Sequence, residues 1–204
     1  MMYVFDAIAI FLFFGIYGWL HSVLASRRIK VKVTTRFPRF MPYYRLTYNF
    51  LALFLFYLLW EFAPEPDIII YEVPAPYDLV IYAMQILSLG MLFYTTRFID
   101  GMEFLGVRQI IRAQKGEYNL EDLDEKSSLR IEGPYTYSRH PLYLYSILFL
   151  GFRPVMSFFY FFAFIAMVLY FYVGAYYEEK KLLAQFGEQY KEYSKSTGKI
   201  FPKL

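Results

Sequence analysis

The residues best able to do chemistry are two charged pairs far apart in the chain, Arg139-His140 and Glu178-Glu179. The first pair sits in Gly133-Pro134-Tyr135-Thr136-Tyr137-Ser138-Arg139-His140-Pro141-Leu142-Tyr143. There a turn dipeptide leads to aromatic residues, then two cationic side chains, then a proline that opens an apolar run. Proline suits the first turn of a helix, where its missing N–H would be unpaired anyway. Arg139 and His140 are therefore expected where a helix enters the membrane. Charges at that depth are costly and usually functional, so this stretch reads as a binding site for a small charged molecule.

The elements that must position these pairs are apolar runs. With 58% hydrophobic and 23% aromatic residues, including 22 Tyr and 23 Phe in 204, the chain has the composition of an integral membrane protein. Runs over Tyr3 to Leu24, Tyr44 to Phe62 and Leu79 to Phe98 are each long enough to cross the hydrocarbon. The loop between the first two holds Arg27, Arg28, Lys30, Lys32, Arg36 and Arg39, with Arg45 just beyond, and no acid among them. The next loop is acidic and proline-rich, with Glu61, Glu65, Asp67, Glu72 and Asp78. The positive-inside rule places the basic loop in the cytoplasm and the N-terminus outside.

After Phe98 a polar stretch contains Phe104, Leu105, Val107, Ile110 and Ile111 at helical spacing, which predicts an amphipathic helix on the inner surface. The acids Glu121, Asp122, Asp124 and Glu125 read as a solvated loop. Leu142 to Phe152 is a fourth run, but eleven helical residues rise only about 16 Å, so this arm is short or tilted. Gly151, Arg153 and Pro154 interrupt it before a fifth run from Val155 to Tyr177. The two form a helical hairpin that returns Glu178 and Glu179 to the face holding Arg139 and His140. The tail from Lys180 is basic, with Leu182, Leu183, Phe186, Tyr190 and Tyr193 as a surface-lying stripe.

The expected fold is thus an all-α integral membrane protein of five transmembrane helices, N-terminus outside and C-terminus cytoplasmic. It forms a single domain over residues 1–204: a three-helix part (1–98), a cytoplasmic connection with the charged motif (99–141), and the hairpin and tail (142–204). The first run lacks a basic leader, and no cleavable signal is expected. Cysteine is absent, which excludes disulfides, thiolate metal sites and a cysteine nucleophile. His21 and His140 are the only histidines and no HExxH spacing occurs, so no metal site is expected. Nucleotide-binding glycine motifs and a GxSxG elbow are missing too. The basic loop reads as topology and not as a nucleic-acid surface.

The motif Gly133-Pro134-Tyr135, Arg139-His140-Pro141-Leu142-Tyr143, followed by Glu178-Glu179-x-x-Leu182-x-x-x-Phe186-Gly187-x-x-Tyr190-x-x-Tyr193, resembles the signature of membrane methyltransferases. These include the isoprenylcysteine carboxyl and phospholipid methyltransferases. The N-terminal segments His21-Ser22-Val23-Leu24-Ala25-Ser26, Tyr44-Arg45-Leu46-x-Tyr48-Asn49 and Asp100-x-x-Glu103-Phe104-Leu105-Gly106 resemble a narrower branch, the NnrU-like proteins and methanethiol S-methyltransferases. Many relatives carry glycine shortly after the Arg-His-Pro core where this chain has Tyr145, which is compatible with a small acceptor.

The resemblance implies S-adenosylmethionine as cofactor. Arg139 and His140 would meet its carboxylate or other polar groups, since arginine offers a planar fork for a carboxylate. Glu178 or Glu179 would take its ammonium or ribose hydroxyls. Tyr135, Tyr137 and Tyr143 would wall the site, able to stack on adenine and to favour a sulfonium, with Pro141 opening the helix behind them. A thiol acceptor must lose its proton, and His21, Asp100, Glu103 and Tyr44, at the cytoplasmic ends of the first three helices, are the candidates to assist. His21 could equally bond headgroups or a carbonyl, and Tyr48 and Asn49 could join helices. The implied activity is S-methylation of a small thiol such as methanethiol to dimethyl sulfide. The rivals are methylation of an isoprenylcysteine carboxylate or phospholipid amine, and a non-enzymatic NnrU-like membrane protein. The expected partners are a small-molecule or lipid methyl acceptor and membrane lipids, with no obligate protein partner, in a prokaryotic inner membrane.

Overall fold

The computed structural model describes residues 2–121, 123 and 128–203. Long apolar runs without internal proline become helices, because a helix satisfies its own backbone groups where no water can. Among the described residues, three are long and apolar enough to cross a membrane: Tyr3–Ala25, Tyr77–Thr96 and Phe158–Phe186. They belong to α1 (Met2–Ala25), α4 (Tyr77–Thr96) and α8 (Phe158–Phe186). Their outer faces expose Val4, Phe5, Ile8, Leu79, Val80 and Ile86, a surface that water would not tolerate and lipid would. α3 (Met41–Phe62) has the length, at 22 residues, but carries Arg45, Asn49 and Glu61. α7 (Pro141–Gly151) is apolar and 11 residues long.

Several expectations need correction. The basic loop is largely a helix, α2 (Arg27–Arg36), because no proline or glycine interrupts Arg27 to Arg36. The amphipathic stretch is two short helices, α5 (Gly101–Leu105) and α6 (Val107–Gln114). Gly106 between them has φ +94, and a Cβ there would lie 2.7 Å from the Leu46 backbone nitrogen. The fifth run starts as strand β2 (Val155–Ser157), which pairs antiparallel with β1 (Ile69–Glu72) in the acidic loop. β1 and β2 are exposed β-branched and aromatic residues in the main, and the pairing satisfies backbone groups that Pro154 and the prolines of the acidic loop keep out of helix. Ser157 then caps α8 by accepting from the Tyr160 N–H at 3.2 Å. α8 continues unbroken through Glu178 and Glu179 to Phe186, and α9 (Glu188–Ser196) follows. Asp122, Asp124 and Glu125 lie outside the described residues.

The chain divides into two compact units. One comprises Met1–Phe11, Pro64–Phe98 and Ser128–Leu204. In it α4 lies along α7, with Gln85 donating to the Phe149 carbonyl at 3.1 Å. The start of α1 packs on α8 through Tyr3–Phe158 and Phe11–Phe162 ring contacts. Its core gathers Leu144, Ile147, Ala175 and Ile200, with Tyr143, Phe164 and Phe171 against them. The other unit comprises Leu12–Ala63 and Ile99–Ser127. There α5 and α6 dock on α3: Arg45 Nε donates to the Phe104 carbonyl at 2.7 Å and Asn49 Nδ2 to the carbonyls of Phe104 and Leu105.

Candidate functional site

Within the first unit the two charged pairs come together. Pro141 is the first residue of α7, and a 3-10 turn over Gly133–Thr136 leads into it, so Arg139 and His140 sit at the mouth of the helix. Glu178 and Glu179 are carried past them by α8. Arg139 Nε donates to Glu179 Oε1 at 2.7 Å, and both side chains are largely buried. Its Nη1 donates to the Ser194 carbonyl at 2.9 Å and to that of Thr197. Arginine at this point is therefore a clamp on α8 and the tail.

His140 lies between the two acids, with Nδ1 3.4 Å from Glu178 Oε2 and Nε2 3.5 Å from Glu179 Oε1. Nε2 is buried and makes no hydrogen bond among the described residues, with Glu179 beside it as an ion-pair neighbour. Burial works against a charge on this ring, but the carboxylates of Glu178 and Glu179 outweigh it and hold the His140 pKa above the usual value. The imidazole stacks on Tyr143 (5.3 Å between centroids, 6° between planes), and Tyr143 stacks on Phe171 at 5.1 Å. The Tyr143 hydroxyl donates to Glu178 Oε2 at 3.1 Å.

The two glutamates differ in surroundings. Glu179 is 17% exposed and meets Arg139, His140 and Lys199, whereas Glu178 is 50% exposed and meets His140 and the Tyr143 hydroxyl. Glu178 is thus the acid facing open space. Tyr135 is largely buried, and burial first, then the charge of Glu178, pushes its hydroxyl up to about 12. It stays a neutral aromatic wall at any ordinary pH. The hydroxyls of Tyr137 and Tyr145 are hydrogen-bonded to each other, and Tyr145 is buried in α7.

The tail corrects the picture of a surface-lying stripe. Tyr190 and Tyr193 are 3% and 6% exposed, with the Tyr193 hydroxyl donating to the Tyr135 carbonyl at 2.5 Å. Beyond α9 the chain runs beside the motif as a short parallel bridge between Ser138 and Gly198. The Arg139 N–H donates to the Gly198 carbonyl at 2.8 Å, the His140 N–H to that of Lys199 at 3.0 Å, and the Ser138 hydroxyl to that of Ile200 at 2.6 Å. Lys199 and Ile200, which this course of the tail brings beside the motif, are neighbours of the charged pairs that sequence reasoning missed. The one available signal was Gly198 followed by Ile200-Phe201-Pro202 in an otherwise charged tail.

The remaining candidates lie in the second unit. His21 Nε2 and the Tyr48 hydroxyl share a 2.6 Å hydrogen bond, and the rings of Tyr17 and Tyr48 flank the imidazole. The Tyr44 hydroxyl donates to the Leu24 carbonyl at 2.6 Å. Glu103 is 4% exposed and held by both Arg112 amino groups at 2.8 and 2.9 Å, with Gln109 alongside. Asp100 caps α5 by accepting from the Glu103 N–H and pairs with Arg108 at 2.7 Å. That hydrogen bond and the Arg108 charge lower its pKa. Both carboxylates are engaged in holding α5 and α6. An open apolar cavity of about 260 Å³ along α1 and α3 is lined by Phe13, Tyr17, Leu20, Leu55, Leu59 and Phe62 among others, and none of the charged candidates borders it.

No family model matches the chain. It is similar, however, to curated proteins over most of its length. It is 29% identical to methanethiol S-methyltransferase 1 of Bradyrhizobium diazoefficiens, covering 94% of this chain and 65% of that protein. It is 27% identical to the methanethiol S-methyltransferase of Crocosphaera subtropica (92% and 71%) and 29% to that of Mycobacterium tuberculosis (92% and 75%). The chain thus spans a little under two thirds of the Bradyrhizobium protein. These likenesses make the chain a relative of the methanethiol S-methyltransferases, in agreement with the isoprenylcysteine methyltransferase-like branch that its two charged motifs resemble.

Proposed function

We propose that the protein is an integral membrane methyltransferase that moves the methyl group of S-adenosylmethionine to the sulfur of a small thiol such as methanethiol, giving dimethyl sulfide. The observation that carries this reading is the convergence of Arg139, His140, Glu178 and Glu179 in one cluster walled by tyrosines. A donor with a sulfonium, an ammonium, a carboxylate and an aromatic base fits such a set. The half-exposed Glu178 suits the ammonium or ribose hydroxyls, and Tyr135, Tyr137 and Tyr143 suit the sulfonium and adenine. Pro141 sets the turn that presents Arg139 and His140. The buried Nε2 of His140 and hydroxyl of Tyr190, both without a hydrogen-bond partner among the described residues, are the kind of atoms a polar ligand satisfies.

When bound, the donor supplies an electrophilic methyl group and leaves as a neutral thioether. The protein must align the acceptor sulfur behind that methyl, exclude water, and accept the thiol proton. His21, hydrogen-bonded to Tyr48, is the proposed proton acceptor; Tyr44, Asp100 and Glu103 are the other candidates, each already engaged, by the Leu24 carbonyl, Arg108 and Arg112 in turn. Tyr145, buried where many relatives carry glycine and tied to Tyr137, supports a small acceptor over a lipid-borne one.

The topology belongs to the same proposal: five membrane segments (α1, α3, α4, α7 and α8) in one domain, the N-terminus outside, and the donor cluster facing the cytoplasm of a prokaryotic inner membrane. The β1–β2 pairing supports it, since it joins the α3–α4 loop to the α7–α8 turn, two connections that this topology assigns to one side. The test is headspace detection of dimethyl sulfide from purified protein given methanethiol and S-adenosylmethionine, beside radiolabel transfer to prenylcysteine and to phospholipid. Dimethyl sulfide alone is the expected product. Label appearing only in lipid or prenylcysteine overturns the acceptor, and no transfer at all overturns the enzyme.

A further inference from the structure

Arg139 is the residue that the motif offers for an anionic ligand group, yet its geometry commits it elsewhere. Nε is bonded to Glu179 and Nη1 to two main-chain carbonyls, and the side chain is 10% exposed. Lys199 stands differently. Its backbone is locked on both sides: Gly198 and Lys199 accept from the Arg139 and His140 N–H groups, and Ile200 is 1% exposed in the core beside Leu144 and Ala175. Gly198 is required there, because a Cβ would overlap the Phe201 carbonyl oxygen. The lysine side chain is thereby directed to Glu179, with Nζ 3.1 Å from Oε2 while Arg139 holds Oε1. It keeps 35% of its surface exposed, more than three times the share of Arg139.

An ion pair with a partly exposed lysine adds modestly to stability, and Glu179 already has its charge-assisted partner in Arg139. The cluster as a whole favours an anion: with His140 protonated, three cations face the two carboxylates of Glu178 and Glu179. Accepting the donor reading above, we propose that Lys199 receives the carboxylate at the amino-acid end of the methyl donor, with Arg139 as the positioning residue that holds Glu179 and the tail in register. The C-terminal segment is then a working wall of the donor site. Glu178 on one side and Lys199 on the other would read the ammonium and the carboxylate of one zwitterion.

The test is calorimetric binding of S-adenosylmethionine and of decarboxylated S-adenosylmethionine to the full chain in detergent, with thermal unfolding of the ligand-free protein as a separate readout. Wild type binds the carboxylate-bearing donor more tightly. Lys199→Met weakens that ligand by about tenfold or more, the scale of a lost hydrogen bond between charged groups, and leaves the decarboxylated one within about twofold. Lys199→Arg restores most of the loss, and Lys199→Gln repeats the pattern of Lys199→Met. Equal weakening of both ligands, or of neither, overturns the role of Lys199 while leaving the donor reading intact. Equal affinity of wild type for the two ligands overturns it as well. Failure of wild type to bind either ligand overturns the donor reading and Lys199 with it.

Discussion

Arg139 and Glu179, 40 positions apart in sequence, meet at 2.7 Å across the junction of α7 and α8. Few links in the chain tie so much together, because the same guanidinium also holds the carbonyls of Ser194 and Thr197. Removing the guanidinium takes away the closest partner of the largely buried Glu179 and leaves two main-chain carbonyls without their donor. Arg139→Met is expected to destabilise the fold by about 3–5 kcal/mol. Thermal unfolding in detergent measures this, and a melting temperature equal to wild type would contradict it.

The tail gives a sharper steric contrast. Gly198→Ala forces a methyl onto the Phe201 carbonyl and displaces the segment that seats Ile200. Gly174→Ala in α8 meets only the Tyr143 hydroxyl, at an ordinary 3.5 Å, and gains helix propensity of up to about 1 kcal/mol. The first is expected to lower the melting temperature and abolish donor binding, the second to leave both as they are or raise stability slightly. Equal behaviour of the two variants would show that the tail is not packed as described.

The contrast also marks how far the sequence was legible. The apolar runs foretold α1, α4 and α8, and Pro141 foretold the start of α7, because hydrophobic length and proline chemistry are local properties. The meeting of Arg139 and Glu179 followed from the hairpin between their two runs. The course of residues 198–200 beside the motif was not visible, since it depends mainly on main-chain bonds from Arg139 and His140, to which the Ser138 hydroxyl adds one more. Likewise, Glu103 reads in sequence as a candidate to take a proton, whereas Arg112, nine residues on, grips both its oxygens.

His140 carries a pH signature. Its pKa is raised in the folded chain by Glu178 and Glu179. The stabilisation from its positive charge is therefore fully present below about pH 6.5, where the unfolded ring is also protonated, and is lost as the pH climbs through the raised folded value. The melting-temperature difference between wild type and His140→Gln should be widest near about pH 6 and shrink toward about pH 9. A difference that stays constant or grows with pH would contradict the assignment.

In the second unit, the proposed proton acceptor His21 shares a 2.6 Å hydrogen bond with the Tyr48 hydroxyl. His21→Ala should slow thiol methylation at neutral pH more than at alkaline pH, where the thiol ionises unaided. Tyr48→Phe should shift the pH–rate profile with little change in the KM for S-adenosylmethionine. Methylation unchanged in both His21→Ala and Asp100→Ala would remove this group from the chemistry.

The two charged pairs are proposed to make one site for a sulfonium donor, with Glu178 its exposed acid. Calorimetric titration of S-adenosylmethionine into wild type and Glu178→Gln tests this most directly. Saturable binding to wild type, weakened about tenfold or more in the variant, is the predicted result. No binding to wild type, or the same affinity in Glu178→Gln, would contradict it.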